Sequence, residues 1–299
     1  MSDSMAFLHR KINGAKDLQS VVRTMKVLAA SSVGQYEQSV RALADYYRTV
    51  ELGLCASLRA SEPEPGMVVV KKKNDEVLIN AIVFGSDQGL VGQFNDVVAD
   101  YAVKTLSDLP GKKQVWAVGE RVHARLADAG LPLKGLYVVP NSVKAITSLV
   151  GKIQIEGEEH WSEGTHASVY VFHNQPQTGE IFKPVSQRLL PLDAQWQQNL
   201  AAEPWPTKSL PEVRNGSAPM LSSLIREYLF ISLFRACAES LASENASRLA
   251  AMERADKNIE ELLDELHRKF HRLRQSSIDE ELFDVISGYE AFGKEKSAL

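Results

Sequence analysis

The segment from Gly85 to Asn95, GSDQGLVGQFN, carries the residue types with the clearest potential for chemistry. Ser86, Asp87, Gly89 and Gly92 fall between an apolar, β-type run and a helix-like stretch, which is where α/β folds bind phosphates. Neither G-x-x-x-x-G-K-[ST] nor G-x-G-x-x-G occurs there. We therefore expect the loop to shape a turn and to cap the helix that follows, while a phosphate- or nucleotide-binding enzyme stays open as an alternative.

The seven histidines and two cysteines do not form a convincing catalytic or metal-binding set. His267 and His271 are four residues apart, so both fall on one helical face, a spacing that metal sites use. No acidic or cysteine partner completes that set, and solvated histidines are the expected interpretation. Cys55 and Cys237 are too few for a disulfide framework and suit a reducing compartment, where we interpret them as small core residues. The sequence predicts no catalytic residue, metal or cofactor.

The composition is that of a soluble globular protein. The chain has 299 residues, 44% of them hydrophobic, and a formal net charge of -4, which predicts neither a nucleic acid nor an anionic membrane surface as partner. No apolar run approaches the roughly 20 residues that span a bilayer, and the first ten residues lack the apolar core of a signal peptide. We expect any membrane association to pass through a partner.

The first 60 residues are predicted to form a coiled-coil helix. No proline interrupts residues 4–60, and the apolar positions step by three and four, averaging about 3.5 residues, the period of a coiled-coil seam. The predicted seam consists of Leu18, Val22, Met25, Ala29, Ser32 or Val33, Tyr36, Val40, Leu43, Tyr47, Val50 and Leu54.

A second long helix is predicted over residues 220–288. After Pro219 the chain has neither proline nor glycine until Gly288, where we expect the helix to stop, and that length spans roughly 100 Å. The two seams predict an antiparallel coiled coil, with the core faces of a helical bundle as the alternative. The second seam consists of Leu241, Asn245, Arg248 or Leu249, Met252, Ala255, Ile259, Leu262, Leu266, Phe270 and Leu273.

Between the helices, β-type runs alternate with helix-like stretches, which predicts a largely parallel sheet in a Rossmann-like α/β domain over residues 70–195. A proline-rich linker over 192–219 follows. The predicted fold is thus α/β with a long antiparallel coiled coil, its N- and C-terminal helices paired around the central domain. The predicted strands are 76–84, 114–118, 136–139, 167–172 and a possible fifth at 185–190, and the helices are 95–108, 119–129 and 142–152.

Three segments resemble the gamma-subunit family of the F-type ATP synthase. They are INGAKDLQSVVRTMKVLAASS (12–32), the loop GSDQGLVGQFN (85–95) and SLASENASRLAAMERADKNIEELLDELHRKFHRLRQSSIDEELFDVISG (240–288). The resemblance covers nearly the whole chain. It implies a non-catalytic rotor shaft that couples ion flow, of protons or sodium, through a membrane ring to conformational cycling of the catalytic sites. The implied partners are the alpha and beta subunits of the catalytic hexamer, the epsilon subunit and the membrane c-ring. The implied location is peripheral, on the cytoplasmic face of the bacterial inner membrane.

The resemblance also implies which residues touch the catalytic ring. Met25 matches a family methionine that faces an acidic loop of the catalytic subunit, and the basic side chains of Arg23 and Lys26 lie beside it in sequence. Arg248 and Gln275 match a family arginine and glutamine that hydrogen-bond a loop of that subunit. The six implied contact residues are Arg23, Met25, Lys26, Arg248, Gln275 and Asp279.

Several positions depart from the family pattern. Asp279 stands where the family has threonine, Ser20 and Ser32 where lysines are common, Gln88 where arginine is usual and Gln93 where glycine is usual. These changes soften the basic character of the shaft, which indicates rewired ring contacts or a divergent bacterial branch. A coiled-coil stalk protein of a V-type ATPase is a further alternative, but that subunit lacks the central α/β domain predicted over 76–190.

Overall fold

The computed structural model describes residues 2–60, 78–161, 167–192, 205, 207, 209 and 217–296. Residues 61–66, directly after the predicted N-terminal helix, and most of the predicted linker 192–219 lie outside the described residues. The described elements follow in chain order: α1 (Ser2–Ala42), α2 (Ala44–Ala60), β1 (Leu78–Phe84), α3 (Phe94–Asp108), β2 (Lys112–Val118), α4 (Glu120–Asp128), β3 (Leu133–Tyr137), α5 (Val143–Trp161), β4 (Ala167–Gln177), β5 (Glu180–Leu190) and α6 (Ser217–Lys296).

The sheet has five strands in the order β3-β2-β1-β4-β5. The pairs β1–β2, β1–β4 and β2–β3 are parallel, and β4–β5 is an antiparallel hairpin. This arrangement confirms the prediction of an α/β fold with a largely parallel sheet. The hairpin turns at Gly179, whose φ of 93° favours glycine, and Pro184 is tolerated in β5 because that strand lies at the edge of the sheet.

The two faces of the sheet carry separate cores. Because successive side chains of a strand point to opposite faces, Ile82 and Phe84 of β1 join one cluster and Ala81 and Val83 the other. The first cluster contains residues of α2, α5 and α6, and the second contains residues of α3 and α4. Helices therefore cover both faces, as a mostly parallel sheet requires.

The chain divides into two compact units, residues 29–248 and a unit formed by 1–28 with 249–299. In the second unit, Leu8, Ile12 and Ala15 of α1 pack with Leu263 and Leu266 of α6 in one apolar cluster. The aromatic rings of His9 and Phe270 lie 6.3 Å apart, while Lys26 pairs with Glu253. Since rising numbers on α1 meet falling numbers on α6, the two segments run antiparallel, as predicted.

One predicted seam position on each long helix is wrong, whereas others, such as Ala29 and Met252, are buried as predicted. Leu18 is 61% exposed and Leu262 46% exposed, so neither lies on the seam. Leu263 is buried instead, and Gln19 takes the seam position on α1, where its amide donates to Asp256 Oδ1 at 3.2 Å. Gln19 is polar and therefore has no place in an apolar pattern, which explains why the prediction put Leu18 on the seam; on α6 two adjacent leucines, 262 and 263, fit the pattern equally well.

Two helix boundaries also need correction. α6 does not end at Gly288 but continues to Lys296. A glycine inside a helix costs only about 1 kcal/mol relative to alanine, which the flanking helix formers offset. In the N-terminal region, Leu43 forms a one-residue interruption between α1 and α2, although helix-type hydrogen bonds from Leu43 to Ser39 and from Tyr47 to Leu43 continue across it.

Candidate partner-contact surface and the loop after β1

The loop after β1 is closed by hydrogen bonds within itself and to the start of α3. The amide of Ser86 donates to Asn95 Oδ1 at 2.9 Å, and Asn95 Nδ2 donates back to Ser86 Oγ at 2.8 Å. The Ser86 hydroxyl in turn donates to the carbonyl of Gln88 at 2.8 Å. Both Ser86 and Asn95 are buried, so the polar groups that a phosphate would use are already bonded inside the protein.

The carboxylate of Asp87 accepts two backbone hydrogen bonds from outside its own loop. Its Oδ1 accepts a hydrogen bond from the amide of Glu120, the first residue of α4, at 3.0 Å, and its Oδ2 accepts one from the amide of Val139 at 2.9 Å. A carboxylate at a helix N-terminus satisfies free N–H groups and the helix dipole. The loop therefore caps α4 rather than α3, the following helix named in the prediction. Gln93 at the start of α3 makes no side-chain capping bond.

The backbone of this loop is shaped for close packing. Gly92 and Leu90 have φ of 58° and 63°, both in the left-handed region, while Gly89 lies beside the guanidinium of Arg121. Gly119 has φ of 116°, and a Cβ there would lie 2.7 Å from the carbonyl oxygen of Ser86. The glycine at position 119 thus permits a backbone crossing, and nothing in this geometry favours a nucleotide site.

The candidate histidine pair does not form a metal site. His267 is half-buried and His271 is exposed. Among the residues that the structure describes, no group of three or more His, Cys, Asp or Glu side chains is placed to hold a metal ion.

Arg23, Met25 and Lys26 lie on α1 in the unit formed by residues 1–28 and 249–299, which we call the paired-helix unit. Arg23 Nε contacts Asp256 Oδ1 at 3.2 Å and Lys26 Nζ lies 3.9 Å from Glu253 Oε1, so both cations already have acidic neighbours on α6. Such exposed pairs stabilise by only about 0–1 kcal/mol, which leaves the charges available for exchange with another partner. Met25 is half-buried between the seam and the surface.

Gln275 and Asp279 contact each other on the exposed surface of α6. Gln275 Nε2 donates to Asp279 Oδ1 at 3.1 Å across one helical turn. The structure thereby gives the unusual aspartate a local partner, an i,i+4 pair of the type that supports an isolated helix.

The side chain of Arg248 is largely enclosed, with 13% of its surface exposed. Its guanidinium donates to Glu244 Oε1 at 2.5 Å and to Asn245 Oδ1 at 3.3 Å, while its Nε is buried without a hydrogen-bond partner. Burial raises the pKa of Glu244, although the charge of Arg248 acts in the opposite direction. The structure assigns this arginine first to compensating a buried carboxylate.

α6 also carries a row of buried polar side chains that the sequence motifs did not predict. Glu239, Ser243 and Ser247 recur every four residues and bond groups at the carboxyl end of β4 and in the loop after β1. The four-residue spacing could have predicted this row, because it places three polar side chains on one helical face. Polar side chains on a face next to the apolar core require buried hydrogen-bond partners.

Large apolar side chains are exposed on both segments of the paired-helix unit. On α1, Leu18, Val21 and Leu28 form a stripe of three- and four-residue steps around the half-buried Met25, and on α6 the exposed apolar side chains concentrate near the C-terminal end. Contiguous exposed apolar surface of this kind marks interaction sites. The exposed members are Phe7, Leu18, Val21, Val27 and Leu28 of α1, and Ile278, Leu282, Phe283, Val285 and Ile286 of α6.

Paired terminal helices and an α/β domain with a largely parallel sheet define the class of fold, and hydrogen bonds close the loop after β1. Among the described residues, no helix is long and apolar enough to cross a membrane. The chain belongs to the ATP synthase family, because the family model described as ATP synthase matches residues 4–292.

The relatives narrow the position within that family to the gamma chain. The ATP synthase gamma chain of Nautilia profundicola is 25% identical over 304 residues, covering 96% of this chain and 98% of the relative. That of a Sulfurihydrogenibium species is 26% identical over 294 residues, covering 95% and 97%. A chain in the Euglena gracilis mitochondrial ATP synthase (OSCP/F1/c-ring, rotational state 3) is 18% identical, with a TM-score of 0.65 over 99% of this chain and 97% of that one. This structural likeness shows the fold.

Proposed function

We propose that this chain is the central rotor-shaft subunit of an F-type ATP synthase, coupling ion flow through the membrane ring to conformational cycling of the catalytic sites. The observation that carries the proposal is the correspondence to gamma chains along 95% or more of both partners, helices and sheet together. A V-type stalk lacks the α/β domain whose sheet is formed here by strands β1 to β5. A nucleotide-binding enzyme would need the loop after β1 to be free for phosphate, but Asp87 of that loop already bonds the backbone of Glu120.

The shaft acts by contact rather than by chemistry. Each orientation of an asymmetric helical pair meets the conformers of the surrounding subunits differently, and the difference in contact free energy shifts their populations. In this proposal catalysis belongs to the beta subunits, and this chain acts on them through contact alone.

The proposed partners are the alpha and beta subunits, the epsilon subunit and the c-ring, with membrane contact only through them. The exposed apolar side chains of α1 and α6 support a partner that surrounds the paired-helix unit, since water-exposed apolar surface is stabilised when a partner covers it. The corresponding location is the cytoplasmic face of the bacterial inner membrane.

The six candidate contact residues remain our proposal for the catalytic-ring contacts. Met25 adjoins the exposed apolar stripe of α1, and Arg23 and Lys26 would exchange acidic neighbours on α6 for acids of the ring. Gln275 and Asp279 are exposed and contact each other across one helical turn, so a ring subunit could reach both side chains. Arg248 would make a ring contact through the small part of its guanidinium that Glu244 leaves accessible.

The test is co-purification from the native host with an affinity tag on this chain. We expect the chain to elute with a hexameric ATPase head whose ATP hydrolysis rotates it. Elution of the chain free of any such head would refute the rotor proposal. ATP hydrolysis by the isolated chain would instead favour the enzyme alternative.

A further inference from the structure

One face of α6 carries a row of buried polar side chains, Glu239, Ser243 and Ser247, which are 6%, 0% and 5% exposed. Residues four apart lie on the same helical face, so the three follow one another along the helix. We call these three side chains the polar row.

Every member of the polar row bonds a group at the carboxyl-end side of the sheet. Glu239 Oε2 lies 2.8 Å from Nε2 of the buried His173, and the Ser243 hydroxyl donates to the carbonyl of Asn174 at 3.0 Å. The Ser247 hydroxyl donates to the carbonyl of Val91 at 2.6 Å. The row therefore binds α6 to the end of β4 and to the loop after β1.

Further bonds hold both sides of this contact in place. Arg235 Nε donates to the second carboxylate oxygen of Glu239 at 2.8 Å, which orients that carboxylate from within α6. On the other side, Asn174 Nδ2 donates to the carbonyl of Phe94 at 2.9 Å, so the acceptor of Ser243 is itself tied to α3. The contact thus reaches from the helix into the body of the α/β domain.

Apolar packing and this polar row resist motion differently. Apolar contact is non-directional, and Leu241 and Ala242 on the same stretch would tolerate a small slide or turn of the helix. Hydrogen bonds weaken steeply with distance and angle, and an unmade bond leaves a buried polar group unsatisfied. A turn of α6 against the sheet would break all three links together.

We propose that the polar row is a torsional clamp, which fixes the angular position of α6 on the α/β domain so that torque applied to that domain passes into the helix. The inference rests on the proposed rotor function. Glu239, Ser243 and Ser247 are positioning residues in it, because they act through the helix and touch no nucleotide.

The test uses the intact ATP synthase in inverted membrane vesicles, comparing Ser243→Ala/Ser247→Ala with the wild type. We expect the double variant to assemble and to hydrolyse ATP, but to pump fewer ions per ATP hydrolysed. In single complexes with the head immobilised, we expect a probe on the α/β domain to show wider angular fluctuation. A merely structural role would change the yield of assembled complex and leave both readouts per complex unchanged.

Two further variants serve as controls. Ser222→Ala removes an exposed serine from the same helix and is expected to leave coupling and fluctuation unchanged. Ser247→Thr keeps the hydroxyl donor and is expected to couple better than Ser247→Ala. If the double variant does not assemble, the single variants Ser243→Ala and Ser247→Ala carry the same comparison.

Two negative results remain distinguishable. Assembled complexes of the alanine variants with wild-type coupling and wild-type fluctuation would overturn the clamp and leave the rotor function intact. A wild-type chain that never enters an ATPase complex would overturn the rotor function itself.

Discussion

The carboxylate of Asp87 joins three parts of the α/β domain, because its own loop, the start of α4 and the chain after β3 meet there. We expect Asp87→Ala to lower the free energy of unfolding by about 1–3 kcal/mol, since it leaves two amides without their acceptor. Asp87→Asn keeps one side-chain oxygen and should cost less.

Urea unfolding of the full chain, followed by circular dichroism, measures the effect of both Asp87 variants. Asp17→Ala removes an exposed carboxylate of α1 and is the matched control, expected to change stability by less than about 0.5 kcal/mol. Equal stabilities for Asp87→Ala and the control would contradict the capping role.

Two buried glutamates of α6 should respond to acid in opposite directions. Burial alone would raise the pKa of Glu239, but the hydrogen bonds from His173 and Arg235 outweigh it and hold that pKa below the ordinary value near 4.5. Its stabilising contribution is therefore present above that pH and lost as the pH falls through the folded-state pKa. Burial raises the pKa of Glu244 despite Arg248, so protonation of Glu244 favours the folded state as the pH falls towards 4.5.

We predict that Glu239→Gln makes the free energy of unfolding fall less steeply below about pH 4.5. We predict that Glu244→Gln makes the free energy of unfolding fall more steeply between neutral pH and about pH 4.5. The free energy of unfolding, measured by urea titration from pH 7 to pH 3, checks both slopes. Parallel pH profiles for the two variants would show that these carboxylates do not set the acid response.

At this scale the sequence located the loop but not its bonding. Ser86, Asp87 and the neighbouring glycines stand where a phosphate loop would, and only the backbone amides of Glu120 and Val139, 33 and 52 residues further on, show that Asp87 is already satisfied. Local sequence cannot supply such partners, because they are set by tertiary packing.

The helical elements and most of their seam positions were predictable from the period of the apolar residues, since Tyr36 and Leu266, for example, are buried as predicted. A polar pair, Gln19 with Asp256, lies on the seam of the paired-helix unit, and apolar periodicity alone shifted the predicted seam to Leu18. The predicted seam also began too late, at Leu18, and so omitted the buried Leu8, Ile12 and Ala15.

The seam register predicts unequal effects of two similar truncations on α1. Ile12 is buried, so we expect Ile12→Ala to destabilise the paired-helix unit by about 2–4 kcal/mol through lost burial and the cavity left behind. Leu18 is 61% exposed, so Leu18→Ala should change stability by less than about 0.5 kcal/mol. Thermal unfolding by circular dichroism compares them, and a larger effect for Leu18→Ala would show that Leu18 lies on the seam.

At the scale of the whole molecule, periodicity predicted two paired long helices and an α/β domain. The family model then assigned the chain to the ATP synthase family. Periodicity did not identify the apolar residues on the outer surface of the helices, which are exposed and do not belong to the seam. Only a partner could bury these side chains, and the spacing of apolar residues within one chain does not identify a partner.

The exposed end of α6 should therefore matter for association and not for folding. Phe283 and Val285 are 69% and 70% exposed. We expect Phe283→Ser/Val285→Ser to leave the midpoint of thermal unfolding unchanged, because almost no buried surface is lost. The isolated variant should self-associate less at high concentration, and it should be retained less by the catalytic head under partially dissociating conditions.

Sedimentation velocity of the isolated chain and retention on the immobilised head measure the two associations separately. Glu280→Ser/Asp284→Ser changes two exposed acidic positions of the same turns and is the matched control. Loss of head retention in both double variants would point to helix unwinding, whereas loss in the apolar variant alone is the result that an enclosing apolar partner surface requires. Unchanged retention in the apolar variant would place the head contact elsewhere on the chain, with the stripe around Met25 as the next surface to change.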